Sequence, residues 1–395
     1  MPTAVGPNTK GEENLVFGYD LGDVSNSYRG EPTENLFPYP QFTNHTNNVV
    51  GAASITKKDF GDGKIGIEII QGSTSDIVSF SMESLTSAVS GATYTWSSYV
   101  NCTSTGNKVK AQVTIRVDGV RYWLTNSNTW TTSVTECSHL FSPTVANQWH
   151  RVDTQITMPT GTLTDFQLGG WYRNTSNFTL KLANAQLEIK SHPTQFLTGI
   201  RSATQSLLDL TGNSTIDLTN VSFDSNAQMT FDGSSDHIAL TGNILNVDSF
   251  TVEAVVNITS EGNYNKPIFV AGDLSTAGIW FFKHRSGLGN RLVMHGYDGV
   301  NPRIDVDSVN QVPDAENTYV AVTFDGNAYQ LYMNGEPEDS PVVDNKVGAT
   351  TTNYIGKQGG TYLNGDIPMM KIYTRGLTAS EVKSNYNAIK GRFNI

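Results

Sequence analysis

Two acids one residue apart, Asp305 and Asp307 in Pro302-Arg303-Ile304-Asp305-Val306-Asp307, are the nearest approach in this sequence to a catalytic pair. On an extended strand, alternation puts both carboxylates on one face, roughly 7 Å apart. Glycoside hydrolysis works with two carboxyl groups about 5 to 9.5 Å apart, one of them kept protonated. Both groups here are aspartates in a polar stretch, and a solvated acidic stripe is the reading we prefer. Gly-x-Ser-x-Gly, His-Glu-x-x-His and phosphate-loop patterns do not occur. The expectation is therefore that the chain is not an enzyme.

Other chemistry-bearing residues are scattered. The histidines (His45, His139, His150, His192, His237, His284, His295) show no metal-ligand spacing. Cys137-Ser138-His139 places two potential ligands on one strand face, with nothing to complete a shell. Acids gather in the turn Asp232-Gly233-Ser234-Ser235-Asp236, where ordinary Asx-turn roles are the simple reading. Sugar binding needs exposed aromatics to stack on a pyranose, with amides and acids for its hydroxyls. Trp171 and Tyr172, and Trp280 with Tyr264 and Tyr297, are the candidates. A sandwich core also consumes tryptophan and tyrosine, so for each of them a core position is the competing reading.

These residues have to be held by many short strands. The 395 residues include 36 glycines and only 16% charged side chains, the profile of an all-β chain joined by polar turns. A net charge of -11 leaves nothing to neutralise phosphates or to attract an anionic membrane, so neither nucleic acid nor membrane is an expected partner. It keeps a protein soluble at high local copy number. The opening Met1–Leu15 stretch has no apolar core of a secretion signal. Cys102 and Cys137 are the only cysteines; two free thiols are preferred over a bridge, which stays open.

Residues 1–48 read as an extended docking arm, with apolar islands Leu15, Val16, Phe17, Leu36, Phe37 and Phe42 between turn formers. These islands are expected to dock on the chain's own second domain or on a neighbouring subunit. Residues 49–198 show alternating runs at sandwich spacing, residues 199–206 a linker, and residues 207–395 a second set of strands. The clearest unit is Thr318-Tyr319-Val320-Ala321-Val322-Thr323-Phe324, the turn Asp325-Gly326-Asn327, and Tyr329, Leu331 and Met333: a hairpin with one buried face. Near the end, Thr378 and Glu381 form a capping box and Leu377 and Val382 a hydrophobic staple. Val382, Tyr386 and Ile389 then share one helical face.

Tyr94 and Trp96, the segment Trp149-His150-Arg151-Val152 and the strand Leu182 to Glu188 resemble carbohydrate-binding-module-like jelly rolls of glycanases and phage virion proteins. Residues 207–395 resemble the laminin G-like, concanavalin A-like jelly roll, on the hairpin above, on Phe250-Thr251-Val252-Glu253-Ala254 and on Met369 to Tyr373. His192 to Ser202 and the end from Asn385 to Phe393 look like segments of tailed-phage structural proteins. The resemblance implies two tandem antiparallel jelly-roll β-sandwiches with a short C-terminal helix. Related glucanases carry Glu-x-Asp-x-x-Glu on one strand, and the third acid is missing after Asp307. Calcium is the cofactor the resemblance implies, with Asp232, Asp236 and Asp366 as candidate ligands. The acid of the family's Gly-x-Ile-Asp strand is replaced here by Pro368.

The function expected on this footing is a virion surface protein, a capsid decoration or cement protein held through its arm and one sandwich. Its partners would be major capsid or tail proteins and, as a homo-oligomer and trimer, its own copies. It would be assembled in the host cytoplasm. A tail fibre or receptor-binding adhesin for host surface glycans is the alternative, and a secreted glycan-binding module the third reading. The chain has no heptad, collagen-like or β-helix repeat to form a shaft.

Overall fold

The computed structural model describes residues 12–42, 53–71, 88–103, 105, 109–133, 138–141, 144–169, 178–242, 244–245, 247–259, 265–273, 276–284, 289–348 and 350–395. The chain is all-β, in antiparallel sandwiches of jelly-roll type, with a short C-terminal helix. It divides into two units, Thr33–Arg201 and a second made of Met1–Pro32 with Ser202–Ile395.

In the unit Thr33–Arg201, the described residues form one sheet in the order His150–Thr157, Thr93–Cys102, Phe178–Glu188, Ile65–Gln71, Ala53–Asp59. A second sheet holds Leu163–Gly169, Val109–Val117, Val120–Leu124 and Trp130–Thr131, with Ser138–Phe141 also pairing Val109–Val117. Ile67, Ile69, Tyr94, Trp96, Val100, Ile115, Phe166, Leu180 and Leu182 fill the space between them. Alternation accounts for this: Tyr94, Trp96, Val100 and Cys102 sit at even positions of one strand and all face inward. Cys102 is a free thiol, and burial pushes its pKa up to about 12. Cys137 lies outside the described residues.

The other unit stacks two sheets. Among the described residues, one runs Ser222–Phe223, Met229–Asp232, Asn364–Tyr373, Phe250–Ile258, Thr318–Phe324, Ala328–Met333, Glu336–Pro337. The second runs Ile238–Thr241, Thr352–Ile355, Lys266–Asp273, Ala277–His284, Arg291–Tyr297, Ile304–Gln311. In the hairpin, Phe324 pairs Tyr329 and Val320 pairs Met333, and the two rings stack at 4.2 Å. Asp325 Oδ1 accepts from the N–H groups of Asn327 and Ala328, each at 2.9 Å, which fixes the turn. Both faces of this hairpin are buried, where alternation predicted one. Val320, Val322 and Leu331 enter the sandwich core, while Tyr319, Ala321 and Tyr332 lie under the C-terminal helix.

The division differs from the expected arm, sandwich and linker. Leu15–Asp20 is a strand that pairs with Asn364–Tyr373, and Phe17 is wholly buried in the core of that unit. Leu15 packs with the cluster under the C-terminal helix and Val16 against the main core. Leu36, Phe37 and Phe42 belong to the other unit, where Phe37 and Phe42 meet edge to face at 5.9 Å. Residues 12–42 are thus shared between two cores. The described islands are occupied within the chain, because a buried aromatic stabilises more than an exposed one. Residues 199–206 are structured as well. Ile200–Arg201 pairs Thr33–Glu34, and Ala203–Ser206 is one helical turn whose Gln205 side chain accepts from the Ser202 N–H at 3.0 Å.

The C-terminal helix, Ala379–Phe393, starts as its sequence dictates. Glu381 Oε2 accepts from the Thr378 N–H at 2.8 Å, and Thr378 Oγ1 from the Glu381 N–H at 3.3 Å. Arg375 forks onto the same carboxylate at 2.9 and 2.7 Å. Arg375 first, then the Thr378 N–H, draw the Glu381 pKa down to about 2. A depressed carboxyl pKa gives stability present above its unfolded value, about 4.3, and lost as pH falls toward the folded value. Helix-specific unfolding, followed by hydrogen exchange between pH 5 and 2, is expected to rise in this window. Glu381→Gln should flatten that pH dependence, and an unchanged profile would contradict the assignment.

Candidate functional site

The six-stranded sheet carries a transverse row of side chains on its face away from the core. Register aligns Tyr354 with Val270, Val270 with Trp280, Trp280 with His295, and His295 with Asp305. Their chain neighbours Ile355, Ala271, Ile279, Met294 and Ile304 point into the core, and strand alternation turns the row outward. Around Trp280 and Tyr354 opens a cleft of about 870 Å³ lined further by Asp273, Thr276, Thr350, Thr351, Thr352, Lys357 and Gln358. That volume falls in the range of small-molecule and saccharide sites.

Gly272 shapes its floor. Gly272 and Gly278 pair directly, two positions along from Val270 and Trp280. Gly272 has φ +76°, and a Cβ there would lie 2.3 Å from Thr350 Cγ2 and 2.4 Å from the Ala277 carbonyl. Only glycine lets Thr350 settle this close. At one side, the short pair Lys357–Gln358 and Thr361–Tyr362 brings Lys357 Nζ to 5.2 Å from the Tyr354 ring centre and 5.5 Å from that of Tyr362. The His237 ring stands 5.9 and 6.1 Å from the same two rings. The Trp280 indole Nε1 is buried and meets no acceptor among the described residues. The cleft thus combines aromatic surface, a donor without an acceptor, three consecutive threonines and one ammonium group.

Of the aromatic residues predicted from sequence, Trp280 lines the cleft. Tyr297 shares its face, opposite Gly278, without lining the cleft. Trp171, Tyr172 and Tyr264 lie outside the described residues, as does Cys137. Tyr354, Tyr362, Lys357 and His237 were missed as site residues. The strand partner of Tyr354, Val270, is 84 positions away in the sequence.

The acids do other work. His295 Nε2 meets Asp305 Oδ1 at 3.2 Å, while Asp307 pairs across from Val293 on the same face. Asp305 is exposed, whereas Asp307 is half-buried and its Oδ1 is sealed from solvent. Asp232 Oδ1 accepts from the N–H groups of Ser234, Ser235 and Asp236 at 2.8, 2.8 and 3.0 Å. Burial pushes its carboxyl up, but the backbone donors outweigh it and hold the pKa below the usual aspartate value. Asp236 Oδ2 accepts from the N–H groups of Ser222 and Asp232 at 2.9 and 3.1 Å. Asp366 is raised by burial, opposed by a hydrogen bond with Thr230. Among the described residues no three His, Cys, Asp or Glu side chains converge as a metal site. The expected calcium shell of Asp232, Asp236 and Asp366 is not gathered among the described residues, where the first two close a turn on backbone N–H groups.

Residues 232–383 match the family model described as the concanavalin A-like lectin/glucanases superfamily. These residues fall in the jelly roll of the unit that holds Ser202–Ile395, and they are similar to the laminin G-like, concanavalin A-like domains of that superfamily. Similar solved structures include domain 4 of an extracellular GH43 arabinanase from Geobacillus stearothermophilus in complex with arabinotriose. It is 18% identical, with 47% of this chain and 93% of that chain covered and a TM-score of 0.38. The botulinum neurotoxin serotype D binding domain is 17% identical over 47% of this chain, at a TM-score of 0.37; the match spans 49% of that chain, about half its length. The carbohydrate-binding module of family 40 from the Ruminococcus gnavus IT-sialidase, bound to alpha2,3 sialyllactose, is 18% identical. Coverage there is 35% of this chain and 82% of that chain, with a TM-score of 0.31. No curated protein matches the chain.

The jelly-roll cleft has a direct mechanical test. Gly272→Ala forces a left-handed backbone and the 2.3 Å approach to Thr350. It should lower stability by about 1 to 3 kcal/mol in denaturant unfolding monitored by tryptophan fluorescence. A variant as stable as the parent would mean the loop is not held as described.

Proposed function

We propose that the chain is a non-catalytic carbohydrate-binding protein and that the cleft beside Trp280 takes the sugar. The observation that carries this is the row Tyr354, Val270, Trp280 under an open cleft, with the Trp280 N–H lacking an acceptor. A pyranose offers an apolar face to the aromatic side chains and a hydroxyl oxygen to that donor. Thr350, Thr351, Thr352 and Gln358 supply hydroxyl and amide partners around the rim. The match of residues 232–383 to a superfamily of lectins and glucanases supports a saccharide ligand. It also names the competing class, a glucanase.

A finer placement, on the surface of a phage particle, is supported by the sequence resemblance of Asn385 to Phe393 and by the net charge of -11. In this placement the protein decorates a capsid or forms an adhesin tip. Its partners are capsid or tail proteins and its own copies in a trimer. The fold offers no shaft in the described residues, which favours decoration over a fibre.

Two measurements test the reading. In glycan-array binding followed by calorimetry, Trp280→Ala should weaken the best ligand roughly ten-fold, the equivalent of about 1.4 kcal/mol. Equal binding by the variant would remove the cleft from the proposal, and release of reducing sugar from a bound glucan would replace binding by hydrolysis. For the finer placement, the protein should remain on purified heads that lack tails; its loss there would favour the adhesin.

A further inference from the structure

The unit Thr33–Arg201 carries a second cluster, independent of the Trp280 cleft. In Thr93–Cys102, Tyr94, Trp96, Val100 and Cys102 face the core, so Thr95, Ser97, Tyr99 and Asn101 face the other side of the sheet. Half of that outer face is covered by the chain itself. Thr95 Oγ1 donates to the Lys190 carbonyl at 2.8 Å, and the Arg151 guanidinium donates to Ser97 Oγ at 3.1 Å and to the Thr194 carbonyl.

The other half is built differently. Lys64 Nζ stands 5.5 Å and Arg151 Cζ 5.9 Å from the centre of the Tyr99 ring. Phe60 and Trp149 meet edge to face at 5.1 Å, and Lys181 Nζ stands 6.0 Å from the Phe60 ring. Opposite Tyr99 in the next strand is Ala183, itself wholly buried, and beyond it Gly66, so these two strands contribute only small residues to the row. Glu68 stands directly opposite Lys181 in the next strand and is held by Lys58 at 3.0 Å. Lys64 and Lys181 make no ion pair within 4.0 Å among the described residues, on a chain of net charge -11.

Asn101 adds a separate observation. It is 4% exposed, pairs in register with Lys181, and its Oδ1 is sealed from solvent without a donor among the described residues. A buried acceptor without a donor is unfavourable until something supplies one.

We propose that this half-face binds an acidic saccharide. Its carboxylate or sulfate pairs with Lys64 and Lys181, its ring lies against Phe60 and Trp149, and a hydroxyl donates to Asn101 as the covering side chains shift. A bare anion has no proton to give Asn101, and a neutral sugar leaves both lysines unanswered. Four strands at about 4.8 Å spacing give a platform about 14 Å across, room for a short oligosaccharide.

The test uses the full chain on an array of uronate-bearing, sialylated, sulfated and neutral oligosaccharides, followed by calorimetry on the strongest acidic probe. Acidic probes should bind, more weakly as salt rises, and the uronate, sialylated and sulfated arms tell the source of the charge. Lys64→Gln with Lys181→Gln should cost roughly ten-fold or more, with an unchanged circular dichroism spectrum. Trp280→Ala should leave this binding intact, which separates it from the cleft of the other unit. Retention of no acidic probe, or binding that survives the double substitution, would overturn the proposal.

Discussion

Glu253 is wholly buried on the helix-facing side of the larger sheet of the C-terminal jelly roll, and much of that domain converges on it. Its carboxylate accepts from the hydroxyls of Tyr319 at 2.6 Å and Tyr373 at 3.3 Å and from the Asn385 amide at 3.1 Å. Lys371, directly opposite in the adjacent strand, stands 4.0 Å away and is itself held by Glu12 at 2.8 Å. A charge out of water is tolerated only with partners at hand. Here they come from the hairpin, the last strand, the helix and the segment before the first strand. Burial first, then the charge of Glu253, raises the pKa of both tyrosines, so their hydroxyls stay protonated and able to donate. Loss of such a buried partner typically costs about 3 to 5 kcal/mol, because the remaining charge is left without compensation. The apolar contacts of Leu377, Val382 and Ile389 bring the helix to the sheet; the Asn385 contact selects where along the sheet it rests.

What was legible in the sequence was local. The hairpin at Asp325-Gly326-Asn327 and the helix after Thr378 are written in patterns a few residues long, with turn and cap residues that satisfy their own backbone groups. The strand Leu15–Asp20 is different. Phe17, Gly18, Tyr19 and Asp20 are all buried, so the strand has no solvent face and no alternation to reveal it. Its apolar residues were visible, but their partner lies at the far end of the chain. The turn Ala203–Ser206 escaped notice because a single helical turn has no periodicity.

The sites follow the same rule. Trp280 could be singled out as an aromatic residue, but the cleft exists only because the pairing of three strands sets Tyr354 and Trp280 on either side of Val270. Tyr99 and Lys64 likewise meet through pairing between strands. In both places the residue types were ordinary, and register made them a constellation. The Asp232 to Asp236 turn shows the reverse. There the acids gathered in sequence, and the structure spends them on backbone N–H groups, most of them four residues away or fewer and one, that of Ser222, fourteen away.

The pairing of Leu15–Asp20 with Asn364–Tyr373 also bears on the order in which the chain is made. The contact between Glu12 and Lys371 spans 359 positions, so the first strand leaves the ribosome long before its neighbour is translated. Until then Phe17 and Tyr19 have no native core to enter, while the sandwich of residues 33–201 has all its strands at hand. The middle of the protein is thus able to mature first, and the nascent N-terminal segment must be kept from foreign sheet edges while it waits. Removal of either Leu15–Asp20 or Asn364–Tyr373 would leave the other strand without this partner.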